Sequence, residues 1–384
     1  MEFLKVTYKI SNSSADVQER VESILQEQTV ETPSSVADRY PFVRRNMTGR
    51  IREIVTDGSG GFLADCELPL LTALSDPAQF LNVLFGNSSL HADVELIDFH
   101  IPPAFKSLFP GPQHGIDGLR QITGVVRRPI TCSALKPVGM DIDELVDLCR
   151  GLVAGGIDMI KDDHYLADQS FAPFDDRVDA CLAAVGEAAA REGTNTVYVP
   201  NLSGTPDMIR RQADYAQRAG ARAVMVAPML VGMPVLHELS TRWLDIPIIA
   251  HPSFGGAIRI YAPTLFGMLF RLFGADAVIF ANYGGRFSYP ASLCREIADK
   301  LRRDWLWMYR SFPVPAGGMN ANRAPELVRF FGPDTILLVG GSLLEAGAAV
   351  AEKTRTFTAA VHSAAERMID AANPGGTSPN RPDT

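Results

Sequence analysis

The run Lys161-Asp162-Asp163-His164 closes the short apolar stretch Gly156–Ile160. In a strand, side chains alternate between faces, which puts Lys161 and Asp163 on one side and Asp162 on the other. Four charged or titratable side chains at the end of an apolar strand are costly to bury without partners. They suit the mouth of a polar site that holds a metal ion or moves protons; a solvated surface turn is the plainer alternative.

Other residues with chemical potential recur at similar places. Lys136 closes the apolar run Ile130–Leu135, where desolvation or neighbouring cations would bring a lysine into acid–base range. His251 ends the run Ile246–His251 and suits an acid, a base, a phosphate donor or a structural hydrogen bond. The pairs Gly317-Gly318 and Gly340-Gly341 follow two late runs. One such pair is usually a tight turn, but two after adjacent strands let backbone N–H groups close on a phosphate. The segment Asn282-Tyr283-Gly284-Gly285-Arg286 reads either as a loop carrying a charge to a ligand or as an ordinary turn with a solvated Arg286.

The elements that must position these residues show a clear rhythm. Short β-branched runs occupy Ile130–Leu135, Ile157–Lys161, Thr196–Asn201, Ala223–Ala227, Ile246–His251, Ala277–Asn282, Phe312–Ala316 and Thr335–Val339. Amphipathic stretches lie between them, among them Ile142–Val153, Asp176–Arg191, Pro206–Ala219, Ala262–Phe273, Ala291–Leu301 and Ala324–Phe331. This α/β alternation predicts a (β/α)8 TIM barrel over residues 126–372, with its site at the C-terminal ends of the strands. A doubly wound open sheet is the rival, and it would not place polar residues after so many strands. Residues 1–125 lack the rhythm. Strands at Phe3–Ile10 and Thr48–Val55 with helices at Ala15–Glu27 and Pro77–Leu84 predict an α+β domain on a small ferredoxin-like sheet. The Pro-, Gly- and polar-rich tail 373–384 is expected to be disordered.

Composition sets outer bounds. With 46% hydrophobic and 21% charged residues, the chain has the balance of a soluble globular protein. A net charge of −8 offers no basic surface for nucleic acid or anionic lipid. Polar sequence follows Met1–Lys5, so no signal peptide is expected, and no apolar run approaches a membrane span. Cys66, Cys132, Cys149, Cys181 and Cys294 show no paired spacing and read as reduced, buried thiols of a cytoplasmic protein.

Taken in order, these residues resemble the large chain of ribulose bisphosphate carboxylase, RuBisCO. Gly155-Gly156-Ile157-Asp158-Met159-Ile160-Lys161-Asp162-Asp163 resembles the family's activating-lysine motif. Ile101-Pro102-Pro103-Ala104-Phe105 and Gly111-Pro112-Gln113-His114-Gly115 resemble its linker into the barrel. The resemblance implies that Lys161 is carbamylated by carbon dioxide and that the carbamate and Asp163 bind Mg2+, with His164 at the third ligand position. It implies that Lys136 shuttles protons, that His251 matches a strand-five histidine, and that Asn201 lies on the loop after strand three. The glycine pairs would bind a substrate phosphate through backbone amides. Glu27 and Thr32 match residues that reach into a partner's barrel, which implies a homodimer with a shared site and no small subunit.

The departures narrow the activity. His164 replaces a metal-binding glutamate, and imidazole is a poor magnesium ligand. Arg286 replaces the carboxylase lysine, a swap that is not conservative. Val138 and Gly139 stand where a second lysine is expected, and Pro252 and Gly255 where the second phosphate of a bisphosphate would be held. Carbon dioxide fixation is therefore not expected, and the chain is similar to the RuBisCO-like proteins, which keep enolate chemistry. The leading expectation is decarboxylation of a 3-oxo sugar-acid phosphate of the 3-oxo-isoapionate 4-phosphate type, with Arg286 meeting the carboxylate. The alternatives are 2,3-diketo-5-methylthiopentyl-1-phosphate enolase, isomerase or transcarboxylase/hydrolase action on a sugar phosphate, and a non-catalytic ligand-binding protein.

Overall fold

A computed structural model describes residues 3–11, 16–287 and 289–372. The tail 373–384 lies outside them, so its expected disorder has no counterpart here.

The N-terminal unit has the order strand, helix, strand, strand, helix, strand. Strands β1 (Phe3–Ile10), β2 (Arg50–Thr56), β3 (Phe62–Pro69) and β4 (Val94–His100) form an antiparallel sheet in the order β2-β3-β1-β4. The principal helices, Val17–Thr29 and Pro77–Phe85, bury Val21, Ile24, Leu25, Phe80, Val83 and Leu84 with Leu4, Val6, Tyr8 and Ile10 of β1. This is the ferredoxin-like arrangement expected. β4 forms an edge of that sheet, and the barrel covers part of it. Leu96 N–H donates to Arg259 O (3.1 Å), Tyr261 N–H donates to Leu96 O (2.9 Å), and Lys300 Nζ bonds Asp98 (3.2 Å).

The second unit is the barrel. Its parallel strands are β5 (Ile130–Leu135), β6 (Met159–Asp162), β7 (Val197–Val199), β8 (Asn201–Leu202), β9 (Val224–Val226), β10 (Ile248–Ala250), β11 (Ala277–Ala281), β12 (Phe312–Ala316) and β13 (Ile336–Val339). They run in the order β7-β6-β5-β13-β12-β11-β10-β9-β8. β7 and β8 are two halves of the one strand expected over Thr196–Asn201. Pro200 has no N–H to offer the ladder, so the strand breaks there. One half pairs with β6 and the other with β9, which closes the ring.

Inward-facing Ile130, Cys132, Met159, Val197, Met225, Ile249, Ile279, Val314 and Leu338 fill the barrel as a core separate from the shell outside it. The helix Gly115–Thr123 plugs the end opposite the strands' C-termini with Ile116 and Leu119. Asp276, 1% exposed, fixes this plug: its Oδ1 accepts from His114 N–H (2.8 Å) and Gly115 N–H (2.6 Å), and its Oδ2 from Ile248 N–H (2.8 Å). Gly115 has φ +57°, and a Cβ there would sit 2.6 Å from Arg310 O, so only glycine fits. Among the described residues no helix is long and apolar enough to cross a membrane, and all five cysteines are free and buried.

Removing the Asp276 carboxylate strands three N–H donors, two of them buried. We expect Asp276→Ala to destabilise the chain by about 3 kcal/mol or more in chemical denaturation. A loss within about 0.5 kcal/mol, the range of an ordinary surface change, would contradict this anchoring role.

Candidate active site

Strand β6 carries the interior pattern one residue too far for an apolar core. Met159 faces inward, and the next inward residue is Lys161, 2% exposed, followed by Asp163, 1% exposed. Burial pushes the Lys161 pKa below the ordinary lysine range, and the Lys136 charge adds to that against Cys132 and Asp163. Its Nζ donates to Asp162 O (2.9 Å).

Asp162 faces the other way, as alternation requires, and is fully buried. Its carboxylate accepts from Tyr198 Oη (2.7 Å), Arg177 Nε (3.2 Å) and Asn201 N–H (3.0 Å). Arg177, also fully buried, projects from the helix Phe174–Glu192. This network ties β6 to the broken strand and to the outer helix, and so fixes the direction of the residues on either side of Asp162. Asp162 is thus a support, and Asp163 is the carboxylate of the site.

Asp163 is crowded by donors. Lys136 Nζ forms an ion pair with Oδ2, Tyr165 N–H donates to Oδ1 (3.0 Å), and His164 Nδ1 lies 3.3 Å from Oδ1. Burial raises its pKa, but the bonds from His164, Lys136 and Tyr165 outweigh burial and hold the carboxyl well below the usual range. His164 stacks on His251, with ring centroids 4.1 Å apart and planes 14° from parallel. His251 is bonded at Nδ1 by Ser253, whose backbone N lies at 3.2 Å and Oγ at 2.9 Å. Burial first, then the Lys161 and His164 charges, lower the His251 pKa to about 2.

Lys136, Lys161, Asp163, His164 and His251 therefore come together. Asn201, 2% exposed, borders them: its Nδ2 donates to Leu166 O (2.8 Å) and His164 O (3.3 Å), which holds the turn after β6. Its Oδ1 is buried without a partner among the described residues. The glycine pairs follow the neighbouring strands β12 and β13, and β13 adjoins β5 in the ring. Gly318 has φ +66°, and a Cβ there would lie 2.5 Å from Gly284 O, so this pair also lets two loops pack. Space beside Gly340 and Gly341 is open, and among the described residues the N–H groups of Gly317, Gly318 and Gly340 donate to no backbone acceptor.

Arg286 is exposed, with its guanidinium carbon 5.2 Å from the Phe287 ring centroid. Glu27 and Thr32 keep their bonds within the N-terminal unit: Glu27 accepts from Asn87 Nδ2 (2.7 Å), and Thr32 O accepts from Gln26 Nε2. Sequence reasoning missed Arg177, Tyr198 and Ser253. Arg177 was detectable as an arginine on the apolar stripe Phe174, Val178, Cys181 of its helix.

The donors bear on a divalent cation as follows. Among the described residues no three His, Cys, Asp or Glu side chains gather as a metal site. A carbamate on Lys161 would supply the missing hard oxygen beside ionised Asp163, and a buried lysine of lowered pKa is the form that reacts with carbon dioxide. With that modification the residues fit magnesium.

Comparison with known proteins gives a consistent picture. The family described as ribulose bisphosphate carboxylase large chain, catalytic domain, matches residues 115–372. Ribulose bisphosphate carboxylase-like protein 1 of Rhodopseudomonas palustris is 44% identical over 358 residues, covering 93% of this chain and 97% of that protein. The 5-methylthioribulose-1-phosphate isomerase of Rhodospirillum rubrum is 42% identical over 365 residues, covering 95% and 97%. The crystal structure of a Rubisco-like protein from Rhodopseudomonas palustris superposes with a TM-score of 0.87 at 37% identity, covering 98% of this chain and all of that one.

The buried imidazole gives a pH test. The folded-state pKa of His251, about 2, lies below its ordinary 6.5, so on acidification the unfolded chain takes up the proton first. Stability is lost as pH falls below the unfolded value. Between pH 7 and pH 5 the protein should lose about 2 kcal/mol more than His251→Phe, read by denaturant titration at each pH. Parallel losses in both proteins would refute the shift.

Proposed function

The chain belongs to the ribulose bisphosphate carboxylase large-chain family, and from that premise we propose that it isomerises a ketose monophosphate of the 5-methylthioribulose-1-phosphate kind through an enediolate. The observation that carries this reading is the convergence of Lys161, Asp163, Lys136 and two imidazoles at one barrel mouth. These groups hold negative charge and move protons. The cation that decarboxylation of a 3-oxo sugar-acid phosphate would rely on, Arg286, is instead exposed on Phe287.

Each residue has a task. Burial keeps the Lys161 amine ready to add carbon dioxide as a carbamate. Asp163 and that carbamate, with His164 adjacent, are the groups that would hold magnesium, which supplies Lewis-acid polarisation of a carbonyl oxygen when bound. Lys136, an ammonium paired to Asp163, is placed to give a proton or steady an anion. The unbonded N–H groups of the glycine loops would cradle the single phosphate. Glu27 and Thr32 would complete the site from the second chain of a cytoplasmic homodimer.

The test is an assay in deuterium oxide with magnesium, bicarbonate and 5-methylthioribulose 1-phosphate. We expect isomer formation with deuterium entering beside the carbonyl, and Lys161→Ala should lower the rate roughly a thousandfold with the fold retained by circular dichroism. Carbon dioxide release from a 3-oxo sugar-acid phosphate without isomerisation would replace this reading by decarboxylation. No exchange on any ketose phosphate would overturn enolate chemistry.

A further inference from the structure

We propose that Arg323, together with Asn282, is a positioning residue for the substrate's phosphate: the two hold successive carbonyls of the Gly317-Gly318 loop and so aim that loop's N–H groups at the ligand. This rests on the single-phosphate reading above and names the side chains that preset its backbone donors.

Three consecutive carbonyls are engaged. Asn282 N–H donates to Ala316 O (2.9 Å), Asn282 Nδ2 donates to Gly317 O (3.2 Å), and Arg323 Nη1 donates to Gly318 O (2.9 Å). A peptide unit is planar and trans, so its N–H points away from its C=O. The N–H groups of Gly317, Gly318 and Met319 are therefore each turned away from the group that holds the carbonyl before them. Among the described residues, none of these three donates to a backbone acceptor. Successive N–H groups left open in this way make an anion-binding concavity.

The loop needs such bonds because of its glycines. Gly317 has φ +102° and Gly318 φ +66°, and a Cβ on Gly318 would lie 3.1 Å from Arg323 Nη1 as well as against Gly284 O. Glycine permits this backbone but also leaves it the freest to move, so one shape persists only if something outside the loop pins it. Asn282, fully buried, and Arg323 are the pins.

Arg323 acts from a fixed place, just before the helix Ala324–Phe331. Its Nη1 also donates to Tyr283 O (3.3 Å), and its Nε and Nη2 donate to Glu326 (3.2 and 3.3 Å). The Tyr283 ring centroid lies 5.1 Å from the guanidinium carbon, and Tyr283 Oη donates to Glu326 (2.7 Å). The Arg323 and Glu326 side chains are 23% and 47% exposed, and an ion pair in that much water adds little stability. Orientation is the better account. One planar fork joins the loop after β11, the glycine loop after β12 and the helix that follows, which a lysine on its flexible stem could not do. Nε, Nη1 and Nη2 each face an acceptor of the chain, so Arg323 reaches the phosphate through the backbone and not by contact.

The experiment compares wild type, Arg323→Lys and Arg323→Ala. Inorganic phosphate affinity is read by phosphorus NMR titration, kcat and KM with 5-methylthioribulose 1-phosphate, and folding by the urea midpoint. Both variants should bind phosphate about tenfold more weakly and raise KM by a similar factor, with kcat within about threefold and the midpoint unmoved. Phosphate affinity kept by Arg323→Lys and lost by Arg323→Ala would make Arg323 a charge and overturn the positioning role. Unchanged affinity in both variants would overturn it too, as would a kcat that falls in step with the rise in KM, the sign of a distorted mouth. A wild type that binds phosphate without turnover sinks the enediolate reading, and the phosphate titration of the variants still decides this one. A wild type that binds no phosphate removes the cradle itself.

Discussion

A lysine amine buried where an apolar barrel interior ends is the constraint on which the rest of this structure turns. Its ammonium form is expensive in that place, because water is excluded and the walls below it are Met159, Cys132 and Val199. The surroundings answer that cost in two ways. Asp163 lies on the same side of the strand as an anion, and Asp162 on the opposite side is immobilised by Arg177, Tyr198 and the Asn201 backbone. Because strand geometry allows no third direction, locking one aspartate outward commits its two neighbours inward.

The same constraint explains the unusual load on Asp163. One carboxylate is shared by a lysine, an imidazole and a backbone N–H, an arrangement suited to a group whose partners change as ligands arrive. The stacked histidines and the glycine loops occupy the ends of β6, β10, β12 and β13 on the same rim. The N-terminal sheet is joined to the segment after β10 by the Leu96 contacts with Arg259 and Tyr261, and to the outer helix Ala291–Arg302 by Lys300, so its placement and that of the segment after β10 are coupled. Charge is thus concentrated at one end of a barrel whose other end is sealed by a helix under Asp276.

Much of this was legible in the residues. Ile130–Leu135, Phe312–Ala316 and Pro206–Ala219 have the bounds expected, because their ends carry explicit signals: the last has Pro206 in its first turn, a Thr205 cap and left-handed Gly220. β3 and β4 were not anticipated. Asp65 and Glu67 interrupt the first, and a register shift opposite Thr7 and Tyr8 breaks the alternation of the second. The long helix Val350–Ala372 carries Thr354, Thr356 and Thr358 in its first half, weak helix formers that packing overrides. The site lysines, Asp163 and the histidines were visible as chemistry at strand ends. Their supports were not, since Arg177 and Tyr198 act across elements far apart in sequence.

The most direct measurement is a crystal structure of the protein grown with magnesium and bicarbonate. Density for a carboxylate on Lys161 Nζ, with a cation between it and Asp163, is the expected result. A bare amine with no ion beside Asp163 under those conditions would contradict the assignment of this barrel end as a carbamate-dependent enolate site.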